Sequence, residues 1–507
     1  MAAIHDLLQV GEDDAIAVAG VDQPPLCYRD LRALVAGTAE TLNRLGVGRN
    51  DRVAIVLPNG PAMATAFVSI ANCATTAPLN PAYKRAEFDF YLADLDAKAL
   101  VVEKHSESPA VKAARDKGIR IIELDTDRSR PAGYFDLSSD VKPAPLAANK
   151  AGTAAAGDIA LVLHTSGTTS RPKIVPLAHS NVHASAKNIQ ATLGLQSADT
   201  CLNVMPLFHI HGLMAAVLAS LAAGASVFAT PGFDALRFFA WLDQANATWY
   251  TAVPTMHQAI LSRAARNKAI IERARLRFIR SSSSSLPVQV LTELEATLGV
   301  PVVEAYAMTE AAHQMTSNPL PPGIRKPGSV GCAAGPELAI MQESGTALLS
   351  AGETGEVVIR GDNVTAGYEN NPSANTAAFV NGWFRTGDQG VMDADGFLTI
   401  TGRLKEIINR GGEKISPREV DEVLMDHAAV QQVVTFAMPH KSLGEEVAAA
   451  VVLSEGQQLD AGDLRAFAAE RLAAFKVPRK IVIVDEIPKG ATGKLQRIGL
   501  AEKLGLA

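Results

Sequence analysis

The stretch DIALVLHTSGTTSRPKIVPLA, residues 158–178, decides how this chain is read. Its apolar run from Ile159 to Leu163 suits a buried strand, and it ends in a turn of hydroxyls, a glycine and two cations. Such a turn is suited to phosphate. Gly167 lets the backbone approach an anion closely; Thr165, Ser166, Thr168 and Thr169 offer hydroxyl and N–H donors; and Lys173 brings a mobile positive charge. It is not a Walker loop, because no G-x-x-x-x-G-K-[ST] occurs. Taken alone, the string also fits a solvated Ser/Thr-rich turn.

The same rhythm of apolar run, turn and Ala/Leu-rich helical stretch recurs on both sides. RVAIVLPNG at 52–60, GIRIIEL at 118–124, ATWYTAVP at 247–254 and VPVVEAY at 300–306 each read as a strand ending in a loop, which predicts an α/β architecture with parallel sheets. Ligands of such sheets sit beyond the carboxyl ends of the strands, so HTSGTT and AYAMTE fall where chemistry is expected. From about residue 325 the pieces become shorter and richer in glycine, as in GEVVIRG at 355–361 and GFLTITGR at 396–403, predicting a compact β subdomain. SPREVDEVL then opens a new helix: Ser416 caps it, Pro417 fits its first turn and Glu419 completes a capping box. Strands at 430–438, 446–453 and 480–484, and a helix from Asp463 with Leu464, Phe467, Ala468 and Leu472 on one face, complete a small α+β unit.

At 507 residues the chain exceeds what one hydrophobic core usually serves. Its net charge of −6 leaves no basic footprint, so no nucleic-acid partner is expected. Cys27, Cys73, Cys201 and Cys332 lie far apart, without metal-site spacing, which fits a reducing, cytoplasmic setting. The beginning MAAIHDLLQVGEDD has no signal pattern, and the end KLGLA lacks a peroxisomal address. Between Asp199 and Asp234 there is no Asp, Glu, Lys or Arg, yet Pro206, His209, His211, Gly212, Gly224 and Pro231 interrupt the run. A buried helix followed by a strand is expected there, not a membrane span.

Three further elements share the order and spacing of a known set: Glu304-Ala305-Tyr306-Ala307-Met308-Thr309-Glu310, Trp383 to Asp388 followed by Gly402-Arg403, and Pro488 to Leu495 with Lys494 in a glycine-flanked turn. With Thr165 to Lys173 they resemble the adenylate-forming superfamily of acyl-CoA synthetases, luciferases and adenylation domains, whose phosphate loop is [ST]-S-G-[ST]-T-G-x-P-K. Ser170 departs from that pattern, where glycine is usual. The resemblance implies a large N-terminal domain over 1–403, of two doubly wound α/β sheets plus a small β-barrel, and a small mobile α+β domain over 404–507. It implies ATP, Mg²⁺ and coenzyme A as cofactors. Within the element from Glu304 and Ala305 onward, Tyr306 would stack on adenine, Thr309 contact the α-phosphate and Glu310 hold the metal. Asp388 would take the ribose hydroxyls with Arg403 beside it, Lys494 would enter the site during adenylation, and Lys405 would be the hinge. Gly411-Gly412 would admit the pantetheine arm, unless it is simply a turn. Asn409 stands where several relatives carry a second lysine.

The acid is decided by the pocket motifs, which are polar: Pro206 to Gly212, Arg280 to Ser285, and Ala311-Ala312-His313. A small diacid brings a second carboxylate, and burying it unpaired is costly, so hydroxyl and imidazole donors are what its site needs. His209 is the family's commoner gate histidine and is grouped with the catalytic residues; His211 and His313 are less usual. The strings EAYAMTEAAHQMTSNPLPP, ATWYTAVPTMHQ, LRFIRS and NRGGEKISP resemble oxalate–CoA ligases of plants and fungi. That resemblance implies an ATP-dependent carboxylate–CoA ligase for oxalate, with contacts at His209, Ser283 and His313 and with His211 beside them. A ligase for malonate or another short acid, a catalytically silent adenylate-binding module and a peptide-synthetase-type adenylation module remain open on sequence.

Overall fold

The computed structural model describes residues 2–140, 142, 146–147, 150–165, 172–488 and 495–506. Among these, two large sheets dominate the first 330 residues. One has seven strands in the order Asp136–Ser138, Arg120–Asp125, Ala99–Glu103, Arg52–Val56, Thr75–Pro78, Ile159–Thr165 and Lys173–Ala178. Its inner pairs are parallel and its two outermost pairs antiparallel. The other has nine strands, in the order Cys332–Ala333, His313–Ser317, Val302–Met308, Phe278–Ser282, Trp249–Ala252, Thr200–Asn203, Ser226–Ala229, Ile16–Gly20 and Leu26–Cys27. It is parallel from Val302–Met308 through Ile16–Gly20.

Parallel strands buried on both faces need helices as cover. The helix Pro61–Ala71 supplies it between the sheets, burying every residue from Met63 to Ala71. With Tyr28–Arg44 and His179–Thr192 it joins strand residues of both sheets, such as Ile55, Val101, Val227 and Phe278, into one continuous core. The uncharged stretch behaves as expected: His211–Leu218 is a fully buried π-helical segment, and Ser226–Ala229 is a strand. No helix among the described residues is long and apolar enough to cross a membrane.

The glycine-rich region forms the expected β subdomain. Glu337–Met341, Thr354–Arg360, Trp383–Met392, Phe379–Val380 and Leu398–Arg403 make one antiparallel sheet. A turn over residues 404–407 separates it from a second five-stranded sheet, built on Val430–His440 and Gly444–Leu453 and covered by Pro417–Met425 and Ala461–Ala469.

Ile159–Thr165 is the strand expected there, and Lys173–Ala178 returns antiparallel beside it, so this edge of the sheet is not parallel. One local expectation is corrected. The capping box at Ser416 is half formed. Ser416 Oγ accepts the Glu419 N–H, but the Glu419 carboxylate takes two hydrogen bonds from Lys476 Nζ, at 2.6 and 2.8 Å, because a cation from the next helical layer outcompetes a backbone donor.

Gly331 shows how tightly the sheet edge is built. It has φ +86°, and a Cβ there would lie 1.9 Å from the Ser317 carbonyl carbon and 2.1 Å from the Asn318 nitrogen. Backbone strain and overpacking each cost about 1–3 kcal/mol. Gly331→Ala is therefore expected to lower unfolding stability by roughly 3 kcal/mol. Denaturant melts check this; a loss below about 1 kcal/mol would mean that the neighbouring strand yields freely.

Candidate active site

The strand Val302–Met308 is the last parallel strand of its sheet, and the chain reverses at its carboxyl end. Thr309–Ala311 makes one 3-10 turn; Ala312 and His313 then take φ of +45° and +99° before His313–Ser317 returns antiparallel. Two consecutive non-glycine residues in the left-handed region are costly unless their surroundings hold them. Ser185 Oγ donates to the Ala312 carbonyl at 2.6 Å, Asn363 Nδ2 to the Ala311 carbonyl at 2.8 Å, and Thr365 N to the Glu310 carbonyl at 2.7 Å. The reversal is thus pinned from three other parts of the chain.

This pinned turn presents Glu310. Its carboxylate is buried, and Tyr368 donates its hydroxyl to Oε1 at 2.8 Å. Burial pushes the Glu310 carboxyl above its ordinary range, opposed by the Tyr368 hydrogen bond and by Arg403 and Lys173. Lys173 Nζ lies 4.2 Å over the Tyr368 ring. Burial pushes the Lys173 ammonium down, Glu310 holds it up, and Lys405 adds to the lowering. Hairpin lysine, turn carboxylate and interdomain-turn lysine therefore share one electrostatic neighbourhood.

A second group converges beside it. The Tyr306 hydroxyl donates to Asp388 Oδ2, and Arg403 Nε donates to Oδ1 at 3.0 Å. Asp388 lies within the strand Trp383–Met392, opposite Arg403, with its N–H bonded to Thr386 Oγ1 at 3.1 Å and the Gly387 N–H to Glu356 Oε1 at 2.9 Å. Burial, then Asp388, push the Tyr306 phenol up. Each Asp388 oxygen keeps a further lone pair for a hydroxyl donor. The preceding residues turn inward: Glu304 is buried and its Oε1 accepts the Leu286 N–H at 3.0 Å, while the Ala305 carbonyl accepts from Ser282 Oγ at 2.9 Å. Burial lifts the Glu304 carboxyl to about 7.

On the other side of the reversal lies a polar cluster. The His211 and His313 rings stack with centroids 4.9 Å apart. His211 Nδ1 lies 3.0 Å from Ser283 Oγ and Nε2 lies 2.6 Å from Thr251 Oγ1. His209 is half-buried at the rim, where its Nδ1 accepts the His211 N–H at 3.2 Å. Beneath them Arg280, fully buried, donates to His313 Nε2 at 3.2 Å, to Thr251 Oγ1 at 3.4 Å and to Gln314 Oε1 at 3.3 Å. Ser283, like His313, has a positive φ, +75°.

The sequence-derived residues thus fall into two adjoining groups. Lys173, Glu310, Tyr306, Asp388 and Arg403 surround one, Thr309 lies at the head of the reversal, and His211, Ser283 and His313 form the other with His209 at its edge. Thr165 ends its strand and pairs with Lys173 across the hairpin. Ser166, Gly167, Thr168, Thr169 and Lys494 lie outside the described residues. Gly411 and Gly412, with φ of +60° and +103°, make the two-residue turn of the hairpin Ile408–Arg410 to Glu413–Ile415. There Gly411 faces Leu443, and the Gly412 N–H is held by Asn409 Oδ1 at 3.1 Å. Sequence reading missed Tyr368, Thr251 and the burial of Arg280. Tyr368 is 58 residues from its carboxylate partner, and no spacing signals such a pair.

The comparisons with known proteins agree with this geometry. The family model described as AMP-binding enzyme matches residues 9–369, and the AMP-binding enzyme C-terminal domain matches residues 419–494. An oxalate–CoA ligase of Arabidopsis thaliana is 47% identical over 480 residues, covering 93% of this chain and 92% of the relative. An oxalate–CoA ligase of Saccharomyces cerevisiae is 41% identical, covering 99% and 96%. The crystal structure of ATP-bound MatB from Rhodopseudomonas palustris superposes with a TM-score of 0.89 at 28% identity, covering 99% of this chain and 98% of that one. Matched by the family models over both of its parts and by these relatives over nearly its whole length, the chain belongs to the AMP-binding enzyme family, among its acid–CoA ligases.

Proposed function

We propose that this acid–CoA ligase uses ATP to activate a small dicarboxylate, oxalate, forming an acyl-adenylate with release of pyrophosphate and then oxalyl-CoA with release of AMP. The observation that carries the choice of acid is the cluster of His211, Ser283 and His313 beside the Glu310 turn, where a fatty-acid ligase needs an apolar tunnel. The names of the Arabidopsis and yeast relatives support the same acid.

The chemistry joins anions. A carboxylate must reach the α-phosphate of ATP, so the residues around it have to offset repulsion and hold developing charge. Lys173 sits beside Glu310 for this, and Lys494 is the second cation, delivered by its turn. Tyr306 offers its ring to adenine, Asp388 accepts from the ribose hydroxyls with Arg403 at its side, and Thr309 donates toward the α-phosphate; the turn from Thr165 to Thr169 wraps the outer phosphates.

Glu310 suits magnesium as a single hard oxygen ligand. No group of three His, Cys, Asp or Glu residues that could hold a metal occurs among the described residues, which fits a cation completed by phosphate and water, not a protein cage. When bound, magnesium neutralises phosphate charge. Tyr368 orients the carboxylate for it.

Residues 1–403 and 404–507 act as two units turning about Lys405, in the turn between Leu398–Arg403 and Ile408–Arg410. Rotation withdraws Lys494 and brings Gly411-Gly412 toward the site for the pantetheine arm, while closure shields the mixed anhydride from water.

An acid panel tests the assignment. Pyrophosphate release is expected with oxalate and ATP, and AMP release on adding coenzyme A; preference for malonate would move the substrate, and preference for octanoate would refute the diacid pocket. Lys494→Ala is expected to slow pyrophosphate release by on the order of 10²–10³, as for loss of a transition-state charge donor, while sparing thioester formation from supplied oxalyl-adenylate. Asp388→Ala removes hydrogen bonds to a charged group, about 1.5–3 kcal/mol, so the ATP Kd should rise roughly ten- to a hundredfold by calorimetry. His313→Ala should instead impair oxalate use with ATP binding kept; equal loss of both would make the histidine structural.

A further inference from the structure

Arg280 is 0% exposed, yet no carboxylate pairs with it among the described residues. Its three acceptors, His313 Nε2, Thr251 Oγ1 and Gln314 Oε1, are all uncharged groups, and its own Nε has no hydrogen-bond partner. Burial lowers its guanidinium to about 9, so it is a cation at neutral pH. An unpaired buried cation carries a large desolvation penalty, and these neutral contacts leave its charge uncompensated.

A hydrogen-bond order that starts from the guanidinium, which can only donate, carries that charge outward. A guanidinium only donates, so His313 Nε2 is an acceptor and the neutral ring carries its proton on Nδ1. Thr251 Oγ1 accepts from Arg280 and lies 2.6 Å from His211 Nε2, and the order assigned to this pair turns the Thr251 hydrogen toward that ring nitrogen. In that order His211 carries its proton on Nδ1, 3.0 Å from Ser283 Oγ, and donates to it. Ser283, half-buried and at φ +75°, is left to donate its own hydrogen onward. Every dipole in the chain turns its negative end to the cation and its positive end away, the polarity in which neighbouring hydrogen bonds reinforce one another.

We infer that Arg280 is a positioning and specificity residue that orients Thr251, His211, Ser283 and His313 as donors and makes the pocket select acids with a second carboxylate. The inference rests on the dicarboxylate reading above and deepens it. Once one carboxylate of the acid is joined to AMP, the other keeps a single negative charge, which matches the single buried positive charge. A monocarboxylate brings nothing to balance it.

The test uses the full-length enzyme with oxalate, acetate and ATP, reading KM for each together with the melting temperature. Wild-type turnover with oxalate is measured first, because its absence refutes the substrate assignment and this role with it. In Arg280→Met the oxalate KM is expected to rise about a hundredfold while the acetate and ATP KM stay within threefold; the melting temperature should hold or rise, since apolar replacement of buried charge is commonly neutral or stabilising. Arg280→Lys should restore part of the oxalate preference. Thr251→Val, nearly isosteric, cuts the relay without touching the cation and should raise the oxalate KM about tenfold, which keeps the test decisive if Arg280→Met does not fold. An unchanged oxalate KM in either folded variant, or an equal loss for all three substrates with a fall in melting temperature, overturns the role of Arg280 and leaves the assignment standing.

Discussion

The reversal from Thr309 to His313 is the constraint on which the two halves of the site depend. A parallel strand normally hands its chain to a crossover helix; here it turns back within five residues, through two left-handed positions. That fold-back puts Glu310 beside Tyr368 and His313 above Arg280, three residues apart. The strain is held by Ser185, Asn363 and Thr365, which come from the helix before the uncharged stretch and from the loop leading toward Tyr368. The carboxylate group and the histidine cluster are thus brought together by one short, overdetermined turn.

Charge is buried on both sides of it, in opposite senses. Glu310 lies under a phenol and beside Lys173, so one side holds a carboxylate near a cation. On the other, Arg280 has among the described residues only a ring nitrogen, a hydroxyl and an amide oxygen as acceptors. In low dielectric such groups act at greater strength than on a surface, and their ordering costs nothing at the moment of reaction. The same environment makes each of them expensive to the fold.

The small C-terminal unit is tied to this site by charge as well as by chain. Arg497, three residues beyond Lys494, is held by Asp421 at 2.7 Å and by Glu406 at 3.4 Å, and it donates to the Thr435 carbonyl at 2.9 Å. Glu406 adjoins Lys405 in the interdomain turn, and burial pushes its carboxyl up against the pull of Arg497 and Arg403. The segment from Leu495 is therefore braced through Arg497 against the turn between the two sheets.

Much of this was legible in the chain itself. Apolar runs such as RVAIVLPNG and VPVVEAY give strands because a short buried run has few other solutions, and ordered motifs from Thr165 to Arg403 fix which strand ends carry chemistry. The hairpin after Thr165 and the diversion of Glu419 to Lys476 were not legible, since each depends on a partner distant in sequence. Sequence by itself determined the inventory of candidate side chains: Lys173, Tyr306, Glu310, Asp388, Arg403, and the histidines and serines of the polar motifs. Only tertiary structure decided that Tyr368 would hold Glu310 and that Arg280 would lie sealed beneath two stacked histidines. A residue's charge is written in its side chain, but whether that charge is hydrated, paired or left to polarise its neighbours is set by everything packed around it.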